Sequence, residues 1–221
     1  MAKRVCPFWV GYLLINPLRS LFENPYKRFG HIVRKGMVVL EPGCGMGYFT
    51  LPLARLVGGT GRVIAIDIQP EMIAAMGKRA LRAGLLERIQ VRLGESGSLK
   101  IEDLCGTVDL AVAMYMVHEA VNPGRFFREI WNALKTDGKL LFAEPRGHVS
   151  IKEFEKSIGV AREVGFIQND DFSDLKRRKV LLHKIARNGK SVASSNFFMR
   201  KGMYNLSQQP VRSGGEERLY R

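Results

Sequence analysis

Acidic side chains are scarce in this chain, and cysteine scarcer still. Its 221 residues hold 21 Asp and Glu against 35 Lys and Arg, a formal net charge of +14, with only three cysteines. Cys6, Cys44 and Cys105 are odd in number, widely spaced and form no CxxC pair. This excludes a disulfide framework and a structural zinc site, and it fits a reducing, cytoplasmic compartment. No apolar run reaches the ~18–20 residues that a membrane-spanning helix needs. Lys3-Arg4 followed by Val5 to Ile15 imitates the start of a signal peptide. Pro7 and Gly11 interrupt that run, however, and no small-x-small cleavage site follows it.

The missing acids are missing unevenly. Residues 1–36 carry seven basic side chains and one acidic, and residues 187–221 carry seven and two. The middle, 37–186, is nearly balanced at 21 against 18. A strongly basic chain invites a nucleic-acid partner. Here the basicity sits at the ends, and the centre offers no interleaved aromatic and basic recognition motif. Nucleic acid is therefore the second choice of partner.

Apolar residues are plentiful, at 46%, enough for one substantial core. From residue 36 onward, short apolar runs alternate with helical patterns. Strands are predicted at 36–40, 63–66, 89–93, 108–113 and 139–143, a short one opening at Gly165-Phe166, and a last at 180–185. Helices are predicted around Phe49 to Leu56, from Pro70 to Gly84, over 123–134 and after Ser150, where Glu153 completes a capping box. Strand–helix repetition closed by two consecutive strands implies a Rossmann-like α/β fold. Its sheet is seven-stranded and mostly parallel, with an antiparallel edge strand and helices on both faces. Residues 187–221 read as a polar, basic, mobile tail. Residues 1–35 contain Phe8, Trp9, Tyr12, Leu13, Leu14, Ile15, Leu18, Leu21 and Phe22. They read as a helical arm packed on the 36–186 domain, with peripheral membrane contact through residues 1–22 as its other possible role.

The chemically loaded turn is Glu41-Pro42-Gly43-Cys44-Gly45-Met46-Gly47. It follows a strand and precedes a helix, where glycines let backbone approach a ligand. Its spacing is G-x-G-x-G, not the G-x-G-x-x-G of dinucleotide sites, which opposes an NAD-linked oxidoreductase. No Gly-Lys-Ser/Thr makes it a P-loop. An acid followed by G-x-G-x-G resembles the class I S-adenosylmethionine-dependent methyltransferases, and the resemblance runs over roughly 36–186. Closest in look are the small-molecule enzymes of the quinone-biosynthesis type.

That resemblance implies S-adenosyl-L-methionine as cofactor. It places Glu41, Gly43, Cys44, Gly45 and Gly47 around the methionine part, with Glu41 standing where the family usually has Asp. Asp67 would accept the ribose hydroxyls with Ile68 beside the adenine; its plainer alternative is to cap the helix at Pro70. Glu95 or Ser96 would meet the adenine amino edge, and Met114 would border the transferred methyl. The segment Met114 to Glu119 lacks the Asn/Asp-Pro-Pro-Tyr/Phe signature of enzymes that methylate exocyclic or amide nitrogens.

His118 is the candidate general base, since a histidine can accept a proton near neutral pH; its alternative is a histidine that holds the loop still. Tyr115, His118 and His148 would line the acceptor pocket, because ligands in open α/β sheets bind off the carboxyl ends of the strands. The two histidines with Glu119 or Glu144 raise a metal reading that spacing supports only weakly, so no metal is expected. Cys44 is a nucleophile, a soft-ion ligand or a small loop filler. The expected activity is methyl transfer to a small, apolar or aromatic acceptor. The alternatives are an RNA methyltransferase and a non-catalytic S-adenosylmethionine-binding protein.

Overall fold

The computed structural model describes residues 7–16 and 18–185. The expected tail at 187–221 lies outside the described residues, as does Cys6. Seven strands form one sheet in the order β3-β2-β1-β4-β5-β7-β6. Strands β1 (Val38–Pro42), β2 (Arg62–Asp67), β3 (Ile89–Leu93), β4 (Val108–Met114) and β5 (Leu134–Ala143) pair in parallel. Strand β7 (Lys179–His183) runs antiparallel between β5 and the edge strand β6 (Ile167–Asp174).

Alternation along each strand sends its side chains to two faces, and both faces are covered. Leu40, Ile64, Ile66, Ala111 and Phe142 join a core with Phe127 and Ile130 of α6 (Pro123–Ala133) and with Phe154 and Ile158 of α7 (Ile151–Val164). Val39, Val63, Ala65, Val112 and Leu141 join a second core with Leu53 and Ala54 of α4 (Thr50–Leu56) and with Met76 and Ala80 of α5 (Pro70–Arg82).

Local signals set the boundaries. Pro70 and Pro123 open their helices, and the Asn122 side chain caps α6 by accepting the Arg125 N–H. Ser150 and Glu153 form the expected reciprocal cap of α7. Gly165 ends that helix at φ 124°, where a Cβ would lie 3.1 Å from the Trp131 ring.

Three strands depart most from the sequence prediction. Strand β1 starts at Val38 because Gly36, at φ 85°, turns the chain first, and it runs on through Glu41-Pro42. Strand β5 begins at Leu134, pairs there with Val108, and shifts register before Lys139 through a bulge with Asp137 at φ 64°. Strand β6 is eight residues long and starts after Phe166, whose ring is buried. Its partly exposed, Asn- and Asp-rich face is that of an edge strand.

The arm departs most from expectation. It forms three helices of four or five residues, α1 (Val10–Leu14), α2 (Arg19–Phe22) and α3 (Pro25–Phe29). Pro25, Phe29 and Val33 are buried, and Phe29 meets Phe49 edge to face. Trp9, Tyr12, Leu13, Leu18, Leu21 and Phe22 are exposed, contrary to the predicted packing. Helices of about one turn present no continuous apolar stripe. The segment also spans a cavity instead of resting on closed core.

Candidate active site

The order of the sheet fixes where this cavity lies. The chain steps outward from β1 to β2 and β3, then returns to β4 on the other side of β1. The strand ends splay apart at such a reversal and leave a crevice. Here the crevice and the arm above it enclose a cavity of about 1520 Å³. This is more than the ~300–1,000 Å³ of a single small-molecule site, so there is room for two ligands.

The first half of the floor is the glycine loop. Gly43, Gly45 and Gly47 have φ of 71°, 52° and 82°, a region that glycine enters without strain. The Gly45 N–H donates to Asp67 Oδ2 at 2.8 Å, and the Gln69 N–H donates to Asp67 Oδ1 at 3.0 Å. Asp67 therefore ties the loop to the end of β2. The N-cap of α5 is Gln69, so the capping alternative for Asp67 does not hold. Burial pushes the Asp67 carboxyl above its usual range, against the backbone N–H groups of Gln69, Gly45 and Ile68, which lower it.

The second half is built on β4 and β5. Tyr115 turns the chain at φ 61°, with its N–H bonded to the Ala143 carbonyl, and a single helical turn, Val117–Glu119, follows. This turn puts His118 against Glu144 at the end of β5. Glu144 Oε1 accepts the His118 backbone N–H at 2.8 Å, and Glu144 Oε2 lies 2.7 Å from His118 Nδ1. The buried Glu144 carboxylate favours a proton on Nδ1, and Nε2 faces Glu119 Oε1 at 3.9 Å. The His148 ring is stacked on His118 with centroids 6.3 Å apart.

The roof is the arm, and one residue clasps it. Glu23 accepts from Arg19 and Arg28, each at 2.8 Å, and from the Tyr115 hydroxyl. The Tyr48 hydroxyl donates to the Glu23 carbonyl at 2.6 Å, and the Arg19 guanidinium lies 4.1 Å above the Tyr48 ring. Burial raises the Tyr115 phenol above its usual range, which makes it a tether and not a base.

Of the residues predicted from sequence, Gly43, Cys44, Gly45, Asp67, Ile68 and Met114 line the cavity. Glu95, Ser96, Tyr115, His118 and His148 line it as well. Glu41 and Gly47, expected against the cofactor, stand off the wall. Gly47 faces Met76 and Leu51, where a Cβ would collide at 2.7 Å and 2.9 Å, so its role is to let the loop pack. Glu41 is buried beneath the loop, and burial pushes its carboxyl up to about 8. The Cys44 thiol is raised well above its usual range by burial, with Glu41 and Asp67 adding to it, so it is an inert filler and no nucleophile. Among the described residues no group of three or more His, Cys, Asp or Glu is arranged to hold a metal. Sequence reasoning missed the clasp of Arg19, Glu23 and Arg28, and the service of Glu144 to His118. The one signal for the clasp was Glu23 itself, a lone acid among seven bases.

A seven-stranded sheet in this order, with a G-x-G-x-G loop after β1 and an acid at the end of β2, defines a class I S-adenosylmethionine-dependent methyltransferase. The chain belongs to the methyltransferase domain family, whose model matches residues 33–190. It is 30% identical over 112 residues to the ubiquinone/menaquinone biosynthesis C-methyltransferase UbiE of Hydrogenovibrio crunogenus, a match covering 51% of this chain and 43% of that protein. It is 29% identical over 108 residues to the demethylmenaquinone methyltransferase of Lactobacillus johnsonii, covering 49% and 43%. The matches thus span about half or less of these relatives. Among solved structures, a SAM-dependent methyltransferase from Aquifex aeolicus superposes with a TM-score of 0.71 at 21% identity, over 81% of this chain and 98% of that one. That likeness shows the fold.

The cofactor of this family is S-adenosyl-L-methionine, and the floor suits it. Glu41 lies behind this floor, buried with the Thr50 hydroxyl against its carboxyl. Asp67 offers the paired acceptor that a ribose needs.

Proposed function

We propose that the protein methylates a small, apolar or aromatic acceptor, with His118 as general base and Glu144 as the residue that positions it. The observation that carries this reading is the His118–Glu144 pair at the ends of β4 and β5, on the wall of a cavity roofed by Val10, Leu14 and Ile15. When bound, S-adenosyl-L-methionine supplies an electrophilic methyl group on a positively charged sulfur. The chain's own residues do the rest. Asp67 holds the ribose hydroxyls, and Glu95 or Ser96 meets the adenine edge beside Ile68. The glycine loop cradles the methionine part, with Glu41 as the acid behind it. Met114 and Tyr115 border the acceptor, and the apolar roof keeps water out.

His118 Nε2 takes the proton from the acceptor as it becomes a nucleophile. Glu144 keeps the ring in the required tautomer and stabilises the imidazolium that forms. The relatives' names, a ubiquinone/menaquinone biosynthesis C-methyltransferase and a demethylmenaquinone methyltransferase, support an aromatic acceptor.

Turnover on a panel of phenols, hydroquinones and small amines tests the reading. His118→Ala should lower the rate ~10²–10⁴-fold with cofactor affinity intact. Glu144→Gln should lower it too, because its single amide oxygen cannot accept from both Nδ1–H and the His118 backbone N–H. An unchanged rate for His118→Ala on a verified acceptor returns the histidine to a loop-holding role.

A further inference from the structure

We propose that the outer face of residues 8–22 docks onto an anionic lipid bilayer. The arm divides its side chains by direction. Val10, Gly11, Leu14, Ile15 and Arg19 line the cavity, whereas Trp9, Tyr12, Leu13, Leu18 and Leu21 are exposed and do not line it. Phe22 does both: it borders the cavity and is 92% exposed, which places it at the mouth. Leu21 is 76% and Trp9 61% exposed. A contiguous stretch carrying this much open apolar surface marks an interaction site and is not ordinary scatter.

Charge selects the occupant. Residues 1–36 hold seven bases and a single acid, Glu23. That acid is turned inward and neutralised by Arg19 and Arg28. The outside of the arm is therefore apolar, and the bases Lys3, Arg4 and Lys27 flank it along the chain, Lys27 exposed. Tryptophan, tyrosine, leucine and phenylalanine next to bases are the composition that settles into the headgroup region of anionic membranes. A second copy of this chain would bring an equally basic face against the first, which like-charge repulsion disfavours. Docked in this way, the mouth at Phe22 opens toward the acyl chains, from which a lipophilic acceptor can enter. The docking rests on the arm alone and does not depend on the identity of the base or the acceptor.

The test uses the full chain, without turnover. Sedimentation with phosphatidylcholine vesicles, with and without phosphatidylserine, should show binding to the anionic vesicles at least ~tenfold stronger than to the neutral ones, weakening with salt. The chain has two tryptophans, and Trp131→Phe leaves Trp9 as the reporter. Lipids brominated near the headgroup should quench its fluorescence. A Leu13→Ser, Leu21→Ser double variant touches neither the cavity nor the clasp. It should lose vesicle binding at least ~tenfold while calorimetry shows unchanged affinity for S-adenosylhomocysteine. Binding to neither vesicle, equal binding to both, no quenching of Trp9, or a double variant that binds like the wild type overturns the proposal. So does a concentration-dependent dimer that shields Trp9, which would assign the face to a second copy.

Discussion

The strand ends and the arm enclose the same cavity by opposite means. On the floor, Glu41, Asp67 and Glu144 are buried acids fixed by the register of five parallel strands. On the roof, short helices are held by one inward carboxylate and a few buried rings, and their outer faces stay in contact with solvent. A group that must sit within a few tenths of an ångström is best carried by a sheet. A surface that must admit one ligand and exclude water is best carried by a segment that can let go. The contrast teaches that the cofactor half of the site is scaffold, whereas the acceptor half is attachment.

The comparison predicts different outcomes for substitutions on the two sides. The largest effect tests whether the arm is truly an attachment. Phe29 is its fully buried anchor, and Phe29→Ala should cost ~3–5 kcal/mol in denaturant unfolding. A much smaller loss would mean that the arm contributes nothing to the core. Next comes Glu41, whose carboxyl is raised from 4.5 to about 8. The folded chain keeps a proton that the unfolded chain releases, so the stability present below the unfolded value is lost as pH rises through the folded one. Glu41→Gln should match the wild type at acid pH and exceed it by a few kcal/mol near pH 8.

Asp67→Ala should weaken S-adenosylmethionine binding at least ~tenfold, with neither NAD nor ATP competing. Equal binding by calorimetry would remove Asp67 from the site. The smallest effect belongs to the outer arm. Leu21→Ser should alter stability by less than ~0.5 kcal/mol, and a larger loss would show that the exposed face is packed in solution.

Most of the floor was legible in the sequence because its signals are local. Strand β3 needed only the run Ile89 to Leu93, α7 only Ser150 and Glu153, and the loop only its glycine spacing. The pairings that complete the site cross long stretches of chain. Tyr115 and Glu23 are 92 positions apart, and His118 and Glu144 are 26 apart. Spacing along a chain says nothing of such partners until a fold brings them together. The exposed arm was misread for a related reason. A high apolar content implies burial only when a continuous face exists to be buried, and helices of four or five residues give none.

The convergence on Glu23 also bears on how the roof fails. Arg19, Arg28, Tyr48 and Tyr115 all meet at that one residue. Groups that share a partner cannot be apportioned separate energies. Take away Glu23, and two guanidinium groups lose their common counter-charge at once. The single replacements should therefore sum to more than the loss from removing the whole set. Loss of any one member is expected to weaken the hold of the others as well.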